Sequence, residues 1–206
     1  MDKIVRDILA EYEERSRREW ELWSTLSPAE LGARIDEFLI FIGPQTGQVL
    51  HAITTAAKTQ TFIEIGASYG YSTIWLADAA RETGGKVHSL ELSQSKVDYA
   101  RAQLARAGLD KYVEFHVGNA LETLETLAGP FDFVLVDLWK DLYVRCFELF
   151  HPKLAPNAFV AADNIIFPPF PKEQAAYRQA VRAKPDMESM LLPIGSGVEL
   201  SKKRAD

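Results

Sequence analysis

Apolar and polar positions alternate with two different periods along this chain. Before residue 61 the apolar positions recur at helical spacing. Ile4, Ile8 and Tyr12 fall near one face of a segment over residues 1–24, with Arg and Glu on the other. Ser27-Pro28-Ala29-Glu30 reads as a helix start, with Ser as N-cap, Pro in the first turn and Glu placed to close a capping box. Leu31, Ile35, Phe38, Leu39 and Ile42 extend that apolar face, so one helix is predicted to run until Gly43-Pro44 stops it. A further short helix near Thr46 carries Val49, Leu50 and Ile53.

From residue 61 short apolar runs replace the stripe. Strands are predicted over residues 61–65, 86–92, 112–117, 131–138 and 158–162, with helices over 72–80 and 95–107 between the first three. Strands alternating with helices imply right-handed crossovers and a parallel sheet. The unbroken run Val134-Leu135-Val136 suits a strand covered on both faces. Residues 187–194 and 198–203 are separated only by Gly195-Ser196-Gly197, which leaves room for a hairpin and no helix. At least one antiparallel strand therefore ends the sheet.

Length and charge narrow the function. The 206 residues fit one domain, read as helices over 1–60 capping an α/β core over 61–206. With 23 Lys+Arg against 29 Asp+Glu the net charge is −6, which argues against a nucleic-acid partner. One cysteine, Cys146, excludes an internal disulfide, and with only four histidines a Cys/His zinc site is not expected. A bound metal is therefore expected to take oxygen ligands, with Mg²⁺ the first candidate. No apolar run approaches the ~20 residues of a membrane span, and no secretory signal opens the chain, so the expected location is the cytoplasm with no membrane partner.

Two groups of residues carry candidate chemistry. Ile63-Glu64-Ile65-Gly66-Ala67-Ser68-Tyr69-Gly70-Tyr71-Ser72 runs from strand through a glycine turn into a helix, and ligands of open α/β sheets bind beyond such strand ends. A plain tight turn uses the same glycines. Glu91, at the end of the second strand, is placed to accept bonds from both hydroxyls of a ribose. The pair implies an adenosine-containing ligand without separating NAD from S-adenosylmethionine (SAM). Gly66-Ala67-Ser68-Tyr69-Gly70 also matches a hydrolase nucleophile elbow, with Asp137 and His151 in the required order; no oxyanion segment precedes it.

The second group sits at the ends of the fourth and fifth strands. Asp137, Asp163 and Asn164 offer three hard oxygens for Mg²⁺. Adjacent strand residues point to opposite faces, so Asp163 and Asn164 converge only where the strand has become a loop. Capping by Asp and Asn is the competing reading. Lys140, three residues beyond Asp137, stands beside any such cation, where like charge favours its neutral, basic form.

Together these residues resemble class I SAM-dependent O-methyltransferases of the catechol and caffeoyl-CoA type. The resemblance spans about residues 43–203. Gly47-Gln48, Glu64-Ile65-Gly66 through Ser72, Glu91, Gly118-Asn119-Ala120, Asp137-Leu138-Trp139-Lys140-Asp141-Leu142-Tyr143, Ala162-Asp163-Asn164 and the hairpin through Glu199 carry it. It implies a Rossmann-like α/β sandwich with a seven-stranded, mostly parallel sheet, a C-terminal antiparallel hairpin and helices on both faces. It further implies that Glu64, Gly66 and Ser72 hold the methionine part of SAM, with the backbone near Ile42 closing over it and Asp137 also among the cofactor-binding residues. Glu91 would take the ribose, and Asn119 and Ala120 would border the adenine. Asp137, Asp163 and Asn164 would bind the divalent metal, with Lys140 as base. Trp139, Lys140, Asn164 and Glu199 would meet a small aromatic hydroxylated acceptor, walled by Pro168-Pro169-Phe170. Asn119 and Ser196 stand where the family often has aspartate. A homodimer stays open, and a SAM-binding module without catalysis is the alternative from another class.

Overall fold

Alternate side chains of the central strands serve two separate apolar layers, and this sets the architecture. The computed structural model describes residues 1–205. Within them, β1 (Thr61–Ile65), β2 (Lys86–Glu91), β3 (Val113–Val117), β4 (Phe131–Val136), β5 (Leu154–Ala162), β6 (Met187–Leu192) and β7 (Val198–Lys203) form one sheet in the order β3-β2-β1-β4-β5-β7-β6. Phe62, Phe133, Leu135, Ala161 and Val198 point into one layer, and Ile63, Ile65, Val134, Val136 and Val160 into the other. Burial on both faces is why β4 is apolar from Phe133 to Val136.

The first layer is closed by α1 (Lys3–Trp23), α3 (Gly43–Ala56), α4 (Tyr71–Thr83) and α5 (Gln94–Ala107). The second is closed by α6 (Ala120–Thr126), α7 (Tyr143–Phe150) and α8 (Pro171–Arg182). None of these three is among the helices expected from the sequence, although α8 spans 12 residues. α7 is 8 residues long and α6 only 7, two turns each. Parallel pairing runs through β3, β2, β1, β4 and β5. β7 then inserts antiparallel between β5 and β6. Two reversals make β6 run with the first five strands, so β7 is the one antiparallel strand among the described residues. None of the described helices is long and apolar enough to cross a membrane.

The stretch after residue 27 differs from the single helix predicted for it. Ser27 and Glu30 do form a capping box that opens α2 (Pro28–Arg34), but a 3₁₀ turn at Ile35–Glu37 ends it and Phe38 is extended. Gly43-Pro44 starts α3 instead of stopping α2, because proline's missing N–H costs nothing in a first turn. The residues between are tied by tertiary contacts: the Leu39 amide donates to Glu19 of α1, and Leu39 and Ile42 are buried in the first layer. Gly47 explains how closely α3 and α4 approach, since a Cβ there would lie 2.4 Å from the Trp75 indole nitrogen.

Candidate functional site

The turn after β1 folds back onto the end of β4. Gly66 has φ +95, and a Cβ on it would lie 2.4 Å from the Asp137 carbonyl oxygen. Only glycine fits both the left-handed backbone and that contact. Ser68 (φ +48) and Gly70 (φ +93) continue the left-handed path, and Gly70 caps α4. α1 grips this loop from outside: Tyr12 Oη donates to the Tyr69 carbonyl at 2.6 Å, and Tyr71 Oη donates to Glu13 at 2.9 Å. A crevice opens here, walled by Gly66, Ser68, Ser72 and Asp137 on one side and Leu39 and Phe41 on the other. Ile42 turns its side chain into the first layer, while its neighbours Leu39, Ile40 and Phe41 line the crevice, where the backbone near Ile42 is expected.

Glu64 is fully buried beneath the start of α4. Its Oε2 accepts from Thr73 Oγ1 at 2.6 Å and Ser89 Oγ at 2.5 Å, while Oε1 has no partner. Burial pushes its pKa up from the ordinary carboxylate value, partly offset by the hydroxyls of Ser72, Ser89 and Thr73. An orphaned buried carboxylate oxygen is costly unless a donor reaches it, so this one fits a cationic ligand group. Glu91 ends β2 with both oxygens occupied by backbone: Ser68 N donates at 2.7 Å and Ser93 N at 3.0 Å. Asn119 is the N-cap of α6, its Oδ1 accepting from Leu121 N at 2.9 Å, and Ala120 is the helix's first residue. One lone pair of that oxygen is left for a ligand.

At the ends of β4 and β5 the polar residues converge. β5 stops at Ala162, and Asn164 is left-handed at φ +55, so the strand has already become a loop. Lys140 Nζ lies 2.6 Å from Asn164 Oδ1, 3.4 Å from Asp137 Oδ1, 2.9 Å from the Leu138 carbonyl and 2.8 Å from Tyr143 Oη. Tyr143 Oη donates in turn to the Asp163 carbonyl at 3.1 Å. Tyr143 was missed as a site residue, although its place three positions after Lys140 puts both in one turn. Asp163 is 1 % exposed, and its Oδ1 has no partner. Burial, then the nearby charge of Asp137, pushes the Asp163 carboxyl up to about 8. Asp137 is also raised, by burial, against the pull of Lys140. Two carboxylates, one of them with an orphaned oxygen, and the Asn164 amide oxygen form a donor set that fits a hard divalent cation.

Glu199, expected at the acceptor, does not join this group. In β7 it is Val198 that enters the first layer, so Glu199 faces the opposite side beneath α8. There Arg182 holds it through two bonds of 2.8 and 3.1 Å, and Ser189 donates at 2.6 Å. What the hairpin sends to the site is backbone: the Ser196 carbonyl accepts from Ile166 N and Phe167 N, bracing the loop that follows Asn164. Trp139, at 57 % exposure, stands with exposed Ile166, Phe167 and Phe170 among the apolar side chains of the loops after β4 and β5. The hydrolase arrangement is not assembled, since His151 bonds Asp186 at 3.0 Å and Asp137 faces Lys140.

One measurement isolates Asp163. Its folded value near 8 lies above the ordinary 3.8, so between these pH values the cation-free folded protein binds the extra proton. Stability from this group therefore falls as pH rises from about 4 to about 8. Asp163→Asn should raise the melting temperature in chelator by on the order of 5 °C at pH 8, and by clearly less at pH 5. Equal gains at both would show that the burden is not the carboxylate's charge.

Comparison with known proteins bears on the same residues. Residues 63–165 match a family model described as a methyltransferase domain. The chain is 31% identical over 170 residues to a catechol O-methyltransferase of Niastella koreensis, covering 81% of this chain and 72% of that protein. It is 38% identical over 128 residues to a catechol O-methyltransferase of Mycobacterium tuberculosis, covering 62% of this chain and 58% of that one. The solved O-methyltransferase TomG of Streptomyces achromogenes, in complex with SAM, superposes with a TM-score of 0.75 at 26% identity, over 95% of this chain and 99% of that one.

Proposed function

The chain belongs to the class I SAM-dependent O-methyltransferases, and from that premise we propose that it methylates a small catechol-like acceptor with the help of a divalent cation. One observation carries the reading: Lys140 Nζ bonds Asp137 Oδ1 and Asn164 Oδ1, and the residue before Asn164, Asp163, keeps a buried oxygen without a partner. A pure binding module has no use for a lysine so placed.

In this reading residues 1–60 cap the site and the remainder binds and reacts. Glu64, with its free oxygen, and Ser72 hold the methionine end; Gly66 lets the backbone come close; Asp137 borders the same end. Glu91 exchanges its backbone donors for ribose hydroxyls, and Asn119 and Ala120 border the adenine. Bound SAM supplies a methyl group already activated on a sulfonium. A cation held by Asp137, Asp163 and Asn164, with Mg²⁺ as first choice, supplies Lewis-acid polarisation of the acceptor. Lys140 takes the proton of the hydroxyl that gains the methyl group. Trp139 and Phe170 offer apolar surface to the acceptor ring. Alignment by such walls is worth up to ~7–11 kcal/mol of barrier.

The test is a methyl-transfer assay on vicinal diphenols against monophenols, with and without chelator. We expect turnover of diphenols that stops in excess chelator and returns with Mg²⁺. Undiminished turnover in chelator would remove the cation from the reaction, and equal use of monophenols would remove the catechol-like acceptor.

A further inference from the structure

Away from the crevice, two of the four histidines meet at the sheet's edge. β2 and β3 pair in parallel with His88 opposite Glu114 and Leu90 opposite His116. Alternate residues of a strand share a face, so Glu114 and His116 project together, toward the side of His88. His88 Nδ1 lies 3.1 Å from His116 Nε2, and the Glu114 carboxylate lies 3.8 Å from His88 Nδ1 and 3.9 Å from His116 Nε2. All three ligand atoms fall within 4.8 Å of one another.

We propose that His88, Glu114 and His116 form a second cation site, separate from the oxygen cluster, for a borderline transition-metal ion such as Zn²⁺. Two nitrogens 3.1 Å apart suit one ion at roughly 2.0–2.1 Å from each, with an N–metal–N angle of about 98°. The Glu114 carboxylate supplies the third ligand. The histidine side chains are 23 and 21 % exposed and Glu114 is 55 % exposed, so water reaches the remaining position. Three protein ligands and an open place are a common zinc arrangement.

The contrast with the other group of similar composition is instructive. His51, Asp78 and Glu82 also lie close together, but Arg81 bonds Asp78 and satisfies that carboxylate. Among the described residues no lysine or arginine pairs with Glu114; its ion-pair neighbours are the two histidines. Two nitrogens and one oxygen favour Zn²⁺, Ni²⁺ or Cu²⁺ over Mg²⁺, whereas Asp137, Asp163 and Asn164 offer oxygen alone. The site also has a mechanical consequence. Val117 of β3 pairs with Glu91 of β2, so an ion here would staple the two strand ends beside the crevice.

The test is Zn²⁺ binding to the full chain in excess Mg²⁺, by competition with a chromophoric chelator, with Co²⁺ absorption as a second readout. Wild type and Asp163→Asn should each bind one Zn²⁺ equivalent and melt higher when loaded. His116→Gln and Glu114→Gln should bind at least about tenfold more weakly and lose that rise. Glu114→Gln alters an exposed side chain, so its fold is safe, and equal melting in chelator checks this. Zn²⁺ affinity unchanged in both variants, or lost in Asp163→Asn instead, would overturn the proposal.

Discussion

Lys140→Ala should lower turnover by about 10²–10⁴-fold while SAM affinity stays within about threefold. Removing the Lys140 amine withdraws the base and its bonds to Asn164, Asp137 and Tyr143, and leaves the glycine loop and the Glu64 carboxylate in place. The same change should tighten Mg²⁺ binding, because the amine no longer competes for the two oxygens. Steady-state kinetics with calorimetric titration of SAM and Mg²⁺ separates these effects. Turnover within about twofold of wild type would remove Lys140 from the chemistry. Lost SAM affinity would reassign it to cofactor binding.

Gly66→Ala should abolish cofactor binding and unfold the protein at lower temperature. The added methyl meets the Asp137 carbonyl at 2.4 Å, a backbone atom that cannot swing aside, and φ +95 is itself strained for alanine. Together these cost about 3 kcal/mol or more. At roughly 2–4 °C per kcal/mol, the melting temperature drops by on the order of 10 °C. Because Asp137 must move, the oxygen cluster is displaced as well. Gly32→Ala is the control. It lies inside α2 with nothing within 4 Å of its Cβ, so alanine there should stabilise by about 0.5–1 kcal/mol. Gly66→Ala that binds SAM within about twofold of wild type would show that the loop can form without glycine.

Much of this was legible in the residues. All seven strands lie close to where the sequence places them, because short β-prone runs are set off by turns and helices, although β5 already begins at Leu154. Asp137, Lys140, Asp163 and Asn164 were read as neighbours because parallel strands bring their carboxyl ends to one edge. Helices α6, α7 and α8 lie outside that reading: α6 and α7 span only two turns each, although α7 does bury one face through Tyr143, Cys146, Phe147 and Phe150, and α8 buries Tyr177 and Val181. The helix drawn through Phe38 to Ile42 failed for the opposite reason: the pattern was helical, but Leu39 is drawn to Glu19, far away in sequence. Glu199 failed on one alternation of β7, which sends Val198 inward and the carboxylate to Arg182.

Sequence alone determined the layered α/β plan, the glycine turn, the residue types at the strand ends and the family they resemble. Each of these is a local property, set by period, backbone freedom and donor chemistry. Tertiary structure alone decided which side chains are already satisfied. It placed Lys140 among the oxygens, left Glu64 and Asp163 each with an unpartnered buried oxygen, and paired Glu199 away from the site. It also joined His88 to His116 across two strands 28 residues apart in sequence. Such pairings depend on strand order and register, which arise only when both faces of the sheet are packed.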